Sequence, residues 1–354
     1  MEGYLLIDGH NLIYKAAHVY KTTTRDGQPT GIIFGFLDQF IAARSVFPDF
    51  LPLVVWDGGA KDRHEIAAAA MAAGYIPDGY KANRHREEID PVKMSIDEQM
   101  PQLRRLLSFT DVPQIWRDGY EADDVIASYC KTLKSEGLTI LCLTPDHDYY
   151  QLLGDKILLV TRHGGEQKIT DAEDFRATHG ISPSQWVDVG ALCGDDGDNI
   201  HGVPGCGLET ALKLIRKYDN YEAVVAACCA AMAPLRLEHS DLQTRDEISI
   251  LKSTKPEKRN PYAGCYPGMP FTGVAMAYEN KKIKLAAQLE LHVAMYQERV
   301  RVAYRMKKMI DNLQLPQPKF FSRFDPATFT AACDRHELRQ VKLALWAFQA
   351  GGHP

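Results

Sequence analysis

The sequence predicts an α/β fold in which a mostly parallel sheet is covered by helices on both faces. Short apolar runs at residues 4–7, 51–56, 139–144 and 157–160 predict buried strands. Apolar residues at helical spacing lie between them, around residues 12–17, 31–44 and 125–133. Strands that alternate with helices favour parallel pairing, because each crossover returns the chain to the same edge of the sheet.

Composition limits the classes of protein to consider. The 354 residues are enough for two or three structural units, and 45% hydrophobic with 25% charged residues is typical of a globular protein. A formal charge of −5 argues against a generally basic DNA-coating protein, although acids gathered at a metal site can mask a basic surface elsewhere.

The expected location of the protein and the redox state of its cysteines rest on sequence signals that are not found. No apolar run reaches the roughly 18 residues that span a bilayer, and no signal peptide is evident, so we expect no membrane association. The 8 cysteines form no Cys-x-x-Cys pair, which argues against structural zinc and favours a reducing compartment. We therefore expect a cytoplasmic protein, or one in the host cytoplasm if it is encoded by a phage.

Acidic residues follow three of the predicted strands, and a further acidic cluster opens the helix predicted over 125–133. One acid after a strand is commonly a turn or cap residue, but this number of carboxylates in one cleft requires cations to offset their repulsion. Oxygen ligands suit Mg²⁺ or Mn²⁺ better than zinc. The residues concerned are Asp8, Asp57, Asp146 and Asp148 after strands, and Glu121, Asp123 and Asp124 at the helix.

Glu121 and Asp123 can converge only under one condition. Residues i and i+2 of a helix lie about 200° apart, so Glu121 must precede the helix. Acids at a helix N-terminus are otherwise ordinary, since they complement the helix dipole.

Residues 61–105 have a weak core pattern and predict mobile helices or a long loop. Lys81 and Arg84 in this insert are either part of a solvated face or cations offered to a phosphate. The basic stretch 281–308, within a long helix predicted over 281–313, carries the same two alternatives. Residues 233–269 are predicted to be irregular, and two helices, over 327–333 and 338–348, are predicted to end the chain.

A Gly/Pro-rich turn, Gly202-Val203-Pro204-Gly205-Cys206-Gly207, lies between predicted helices over 186–192 and 208–218. Its glycine spacing is not that of a dinucleotide fingerprint. Such a hairpin can expose backbone N–H groups that hold phosphates without reading bases, or can simply join two helices.

Together these segments resemble the 5′-nuclease superfamily, which includes phage 5′→3′ exonucleases, flap endonucleases and the 5′-nuclease domain of bacterial DNA polymerase I. The resemblance runs from Tyr4 to about Ala226. It is carried by Ile7-Asp8-Gly9, Gly31 to Phe36, Trp56-Asp57-Gly58, Tyr80-Lys81-Ala82-Asn83-Arg84, Gly119 to Asp124, Asp146-His147-Asp148 and Gly194 to Gly207.

The resemblance implies a PIN-like catalytic domain at 1–190 with a helical arch insert at about 61–105. A helix–three-turn–helix DNA-binding region at 191–232 and a mainly helical C-terminal extension at 233–354 would follow. Departures from the family pattern include His201 in place of proline, Glu209 in place of lysine, and unusual residues at Lys15 and His147.

The same resemblance implies roles for individual residues, with two divalent ions per site. Asp8, Asp57, Glu121 and Asp123 would line one metal position; Asp146, Asp148 and Asp198 would line the other, with Asp124 and Asp195 as outer supports. Tyr80, Lys81 and Arg84 would form a gateway for the 5′ strand that DNA orders. Backbone and side-chain contacts to DNA would come from Gly202, Val203, Gly205, Gly207 and Lys213, with K⁺ held at the hairpin.

The function implied is a metal-dependent, structure-specific 5′→3′ exonuclease and flap endonuclease that leaves 5′-phosphates. Its partners would be DNA with 5′ ends, flaps or nicks, and replication proteins, with the chain acting as a monomer. Two alternatives stay open: a 5′-nuclease acting mainly on RNA in RNA–DNA hybrids, and a non-catalytic DNA-junction binder.

Overall fold

The computed structural model describes residues 3–85, 90–163, 165–255, 260–284, 288–318, 324–339 and 341. The chain forms two compact units. The first comprises residues 1–60, 87–175 and 309–354, and the second comprises 61–86 and 176–308. The domain boundaries predicted from the sequence stay predictions.

The strands and helices alternate along much of the chain. The strands are β1 Gly3–Asp8, β2 Phe50–Trp56, β3 Gln114–Trp116, β4 Thr139–Leu143, β5 Ile157–His163, β6 Glu166–Thr170, β7 Gly194–Asp195 and β8 Ile200–His201. The helices are α1 Gly9–Val19, α2 Gly31–Val46, α3 Lys61–Ala72, α4 Pro91–Leu107, α5 Ala122–Ser135, α6 Ala172–His179, α7 Trp186–Cys193, α8 Leu208–Tyr218, α9 Tyr221–Glu238, α10 Arg245–Ser253, α11 Thr272–Glu279, α12 Gln288–Met295, α13 Gln297–Lys307 and α14 Pro326–Arg335.

The first unit is built on a six-stranded sheet in the order β3-β2-β1-β4-β5-β6. All neighbouring pairs are parallel except β5 with β6, so the predicted mostly parallel sheet flanked by helices is confirmed. The prediction missed β3, which has three residues, and β6, whose Glu-Gln-Lys-Ile-Thr sequence carries no apolar run.

Helix α4 differs from the mobile insert that the sequence predicts. It buries Ile96, Leu103 and Leu106 in the core of the first unit. Its buried Gln99 side chain accepts hydrogen bonds from the N–H groups of Ile32 and Ile33, which open α2. The free N–H groups of a helix start need such a partner. A polar residue at this buried position interrupts the apolar pattern that would predict a core helix.

The second unit is helical and differs from the prediction in two places. The helix predicted over 281–313 is instead divided into α12 and α13, with Tyr296 between them, and 308–318 is not helical. The region predicted to be irregular contains the end of α9 and all of α10. Most of the helix predicted over 338–348 falls outside the described residues.

Two of the basic residues in 281–308 are internal. The buried Arg299 stacks on Tyr296 and donates to the carbonyl of Tyr75, and Lys307 is also buried. These two side chains therefore serve packing rather than a solvated or DNA-facing surface. No described helix is both long and apolar enough to span a membrane.

Candidate active site

Three acidic residues lie at one edge of the sheet because three adjacent strands end there. Asp8 is the last residue of β1, Asp57 follows β2, and Asp146 follows β4. Since β2, β1 and β4 are neighbours and parallel, their carboxyl ends share one edge. The strands β2 and β3 lie on one side of β1, whereas β4 and β5 lie on the other side. Open α/β sheets form their ligand crevice at such a switch point in the strand order.

Asp8 is buried, with 2% of its surface exposed, and its two oxygens are held by separate donors. Oδ1 accepts from the Asn11 N–H at 3.0 Å, which caps α1. Oδ2 accepts from the Asn11 side-chain amide at 2.6 Å and from the Tyr149 hydroxyl at 2.8 Å. Burial, and then the nearby charge of Asp57, raise the pKa of Asp8 to about 7.

Asn11 and Tyr149 are site residues that the sequence did not reveal. The Asn11 amide also reaches Asp146 Oδ2 at 3.3 Å, so one side chain links two of the predicted carboxylates. Burial and the charges of Asp8, Asp123 and Asp146 raise the pKa of the Tyr149 phenol well above its ordinary value. The spacing of Asp8 and Asn11 across a first helical turn is a signal that could have identified Asn11, whereas Tyr149 has none.

Asp57 and Glu121 meet at the start of α5. Asp57 Oδ1 accepts from the Ala122 N–H at 2.8 Å, so a side chain that follows β2 caps this helix. Glu121 has extended backbone angles and precedes the first helical residue, as the prediction required. This confirms the condition under which Glu121 and Asp123 can face the same side.

Asp124 and Asp148 are held by backbone groups. Asp124 is almost fully buried, and its Oδ1 accepts from the Ile310 N–H at 2.8 Å. The N–H of Asp148 donates to Asp146 Oδ1 at 2.8 Å, so that Asp146 caps the short 3₁₀ helix His147–Leu152. Asp124 thus binds the segment that follows α13, in keeping with a supporting role.

The first unit presents carboxylates, an amide and a phenol at this sheet edge, and the imidazole of His10 lies beside Asp57, with its Nδ1 3.7 Å from Asp57 Oδ2. Such oxygen donors fit a hard divalent cation. Crowded buried carboxylates also gain from a cation, because burial and mutual repulsion disfavour their charged forms. Across the described residues, no three His, Cys, Asp or Glu side chains are grouped closely enough to hold a metal ion by themselves.

In the second unit, Asp195 forms an ion pair with the buried Lys307. Lys307 Nζ donates to Asp195 Oδ2 at 2.7 Å, and the lysine side chain is 6% exposed. Asp195 Oδ1 accepts from the N–H groups of Gly197 and Asp198. Burial acts to raise the pKa of Asp195, but the charge and hydrogen bond of Lys307, with these N–H donors, outweigh it and lower the pKa.

The Asp198 carboxylate contacts all three residues that are predicted to form the gateway. Its carboxylate accepts from the Tyr80 hydroxyl at 3.0 Å and from Arg84 at 2.7 Å, and Lys81 Nζ lies 3.7 Å away. Tyr80 is 4% exposed, and the Lys81 N–H donates to the Asp198 carbonyl. The sequence predicts that DNA orders this segment; in the structure, contacts within the protein already place it.

The turn from Gly202 to Gly207 joins the β7–β8 hairpin to α8. At Gly205, with φ +82°, a β-carbon would meet no atom within 4 Å, and Gly207 is also open. At Gly202, a β-carbon would lie 2.3 Å from the Cys193 carbonyl carbon. Lys213 is exposed on α8. Val203 is buried and its N–H donates to Leu192, so this residue serves packing.

Two family models match consecutive parts of the chain. The family described as "5′-3′ exonuclease, N-terminal resolvase-like domain" matches residues 3–180, and "5′-3′ exonuclease, C-terminal SAM fold" matches residues 181–252. The chain belongs to the 5′-3′ exonuclease family. The predicted membership of the 5′-nuclease superfamily is therefore confirmed.

Two relatives illustrate how much of each protein is shared. A 5′-3′ exonuclease of Aquifex aeolicus is 30% identical over 227 residues, covering 64% of this chain and 73% of the relative. The thermostable DNA polymerase I of Thermus aquaticus is 36% identical over 223 residues, covering 62% of this chain. The aligned region is 24% of that polymerase, so the chain spans about a quarter of it.

Solved structures share the fold at low sequence identity. The T5 D15 protein co-crystallised with metal ions has a TM-score of 0.54 and 16% identity, with 97% of this chain and 98% of that chain covered. The catalytic core of Rad2 in complex with DNA substrate has a TM-score of 0.53 and 14% identity, with 97% and 92% covered. These similarities concern the fold alone.

Proposed function

We propose that the chain is a metal-dependent, structure-specific 5′→3′ exonuclease and flap endonuclease that acts on DNA with 5′ ends, flaps or nicks. The observation that supports this most strongly is the convergence of Asp8, Asp57 and Asp146 at the carboxyl edge of three adjacent strands, in a chain of this family. The similar Aquifex protein carries the name 5′-3′ exonuclease.

The cofactor we propose is Mg²⁺ or Mn²⁺, two ions per site. In the first unit, Asp8, Asp57, Glu121 and Asp123 would hold one ion, while Asp146 and Asp148 would contribute to the other. Bound divalent ions would activate a water, position the scissile phosphate and stabilise the leaving 3′-oxygen, giving a 5′-phosphate. The chain's own part is orientation: Asn11 and Tyr149 fix the direction of the Asp8 carboxylate.

In the second unit, we propose Asp198 as a metal ligand, Asp195 as its support, and two cations that meet the substrate phosphate. Lys81 and Arg84 would neutralise negative charge that grows on that phosphate. The exposed glycines of the turn, Gly205 and Gly207, leave room for a duplex backbone to approach, and K⁺ at this turn is part of the proposal. Contacts of this kind read no base sequence.

Single-turnover cleavage of a 5′-labelled flap, with Mg²⁺ and with EDTA, tests the function. Asp8→Asn should abolish cleavage while DNA affinity, measured in Ca²⁺, stays within a few-fold, because an amide oxygen still caps α1. The matched control Asp155→Asn changes an exposed turn residue and should cut at the wild-type rate. Cleavage by Asp8→Asn near the wild-type rate would refute the ligand assignment.

The same assay separates the two alternatives. A preference for an RNA–DNA hybrid over the DNA flap would indicate a nuclease acting mainly on RNA. Junction binding without Mg²⁺-dependent cleavage would indicate a non-catalytic binder. We also propose a monomeric, cytoplasmic protein that meets replication proteins; sedimentation of the purified chain tests the first of these.

A further inference from the structure

Among the residues of the second unit with positive φ, which residues other than glycine rarely adopt, two lie close to the predicted gateway. Lys81 has φ +55° and Asn199 has φ +55°. A left-handed lysine costs on the order of 1 kcal/mol, and such strain persists only where the surroundings enforce it. The two residues lie on segments that contact one another, since the Lys81 N–H donates to the carbonyl of Asp198 at 2.9 Å.

Hydrogen bonds next to these two residues converge on Asp78. Asp78 Oδ1 lies 2.5 Å from His201 Nε2 and accepts from the Asn199 side-chain amide at 2.8 Å. The same amide donates to the Gly79 carbonyl at 2.8 Å. We call Asp78, Asn199 and His201 the Asp78 clamp. It ties the start of the 78–84 segment to β8 and the turn before it.

We propose that the Asp78 clamp is a positioning device that holds residues 79–84 in place and thereby presents Lys81 and Arg84 to the substrate phosphate. Asp78, Asn199 and His201 thus act through the two cations and need not touch the substrate. The catalytic part of this proposal rests on the proposed function.

The clamp fits the remaining contacts of the segment. Tyr80 and Arg84 both donate to Asp198, and Asn83 donates to the carbonyl of Asp196 at 2.7 Å. Each of these bonds joins 78–84 to the turn between β7 and β8. Because the Asp78 contacts are made at the start of the segment, they set the register in which the later side chains meet Asp198.

Hydrogen exchange of the full-length protein without DNA tests the clamp directly. In Asp78→Ala, amides of residues 79–84 should exchange at least tenfold faster, while peptides elsewhere keep their protection. Asp78→Asn keeps an acceptor for Asn199 and His201, and should stay within threefold of wild type. Asp155→Ala is the matched control. Unchanged exchange in Asp78→Ala, or an equal increase throughout the protein, would overturn the clamp.

Single-turnover cleavage of a 5′-flap tests what the clamp is for. Asp78→Ala should lower the rate about 10–100-fold, a loss expected for a positioning residue, with affinity in Ca²⁺ within threefold. In a Lys81→Ala/Arg84→Ala background, Asp78→Ala should lower the rate less than threefold, because Asp78 affects the rate only by positioning Lys81 and Arg84. An equal loss in both backgrounds would overturn the positioning role.

Two outcomes distinguish failure of the clamp from failure of the proposed function. A wild-type cleavage rate in Lys81→Ala would refute the function proposed for Lys81, and with it the effect of the Asp78 clamp on cleavage. Hydrogen exchange would still decide whether the clamp exists. Should Asp78→Ala not fold, Asn199→Gly and His201→Ala test the same contacts. Glycine at 199 keeps the left-handed backbone while removing the amide.

Discussion

Replacing Lys307 by methionine should measure what the ion pair with Asp195 contributes to stability. The lysine is 6% exposed and its partner 32%, and their closest atoms are 2.7 Å apart. Removing one member of a fully buried pair costs about 3–5 kcal/mol. Since a third of Asp195 reaches water, solvation offsets part of this loss, and we expect about 2 kcal/mol.

The pH dependence of this loss has a defined sign. The folded-state pKa of Asp195 is lowered, so its ionised form stabilises the fold above the unfolded pKa of about 3.9, and that stability disappears as pH falls through the folded pKa. Lys307→Met should therefore differ most from wild type at pH 7 and least well below pH 4.

Thermal unfolding across this pH range is the measurement. A loss of about 2 kcal/mol corresponds to a Tm lower by about 4–8 °C for a unit of this size. The double variant Lys307→Met/Asp195→Asn removes the unpaired charge and should recover at least half of the loss. A Tm within about 1 °C of wild type for Lys307→Met at pH 7 would refute the reasoning.

Three further predictions follow from the geometry of single residues. Gly202→Ala should prevent the turn from folding, because its β-carbon would lie 2.3 Å from a backbone carbon, whereas Gly205→Ala should cost only about 1 kcal/mol for its positive φ; chemical denaturation compares them. Burial raises the pKa of Asp188 to about 6, so wild type loses stability as pH rises from about 4 to 6, and Asp188→Asn should be more stable by about 1–2 kcal/mol at pH 7 but not at pH 4. Tyr149→Phe removes one donor to Asp8 and should raise the Mg²⁺ concentration for half-maximal cleavage about tenfold, with unchanged DNA affinity in Ca²⁺.

Errors in the sequence-based prediction occurred where tertiary contacts override local pattern. Gln99 is polar yet buried, since it supplies the acceptor for the start of α2, and it interrupts the apolar pattern that would predict a core helix. The helix predicted over 281–313 is interrupted at Tyr296, whose ring lies under the buried Arg299. The contacts of Gln99 join residues 67 and 66 positions apart, so the local pattern cannot predict them.

The sequence by itself determined the features that depend on neighbouring residues. Apolar runs followed by acids predicted the strands that end at Asp8, Asp57 and Asp146, and helical spacing predicted α8 with the bounds that the structure has. Helix geometry alone gave the condition that Glu121 must precede the helix if it is to face the same side as Asp123, and the structure meets this condition. Periodicity and capping act over a few residues, so they can be read without knowledge of the fold.

Only the tertiary structure decided which of these residues meet, and what holds them. The order β2-β1-β4 makes three strand ends neighbours, and Asp8 is oriented by Tyr149, 141 residues away. Asp78 and His201 are separated by 123 residues, and Lys307 and Asp195 by 112. Hydrogen bonds of this separation leave no periodic signal, because their partners are brought together by packing of the whole unit rather than by the local chain.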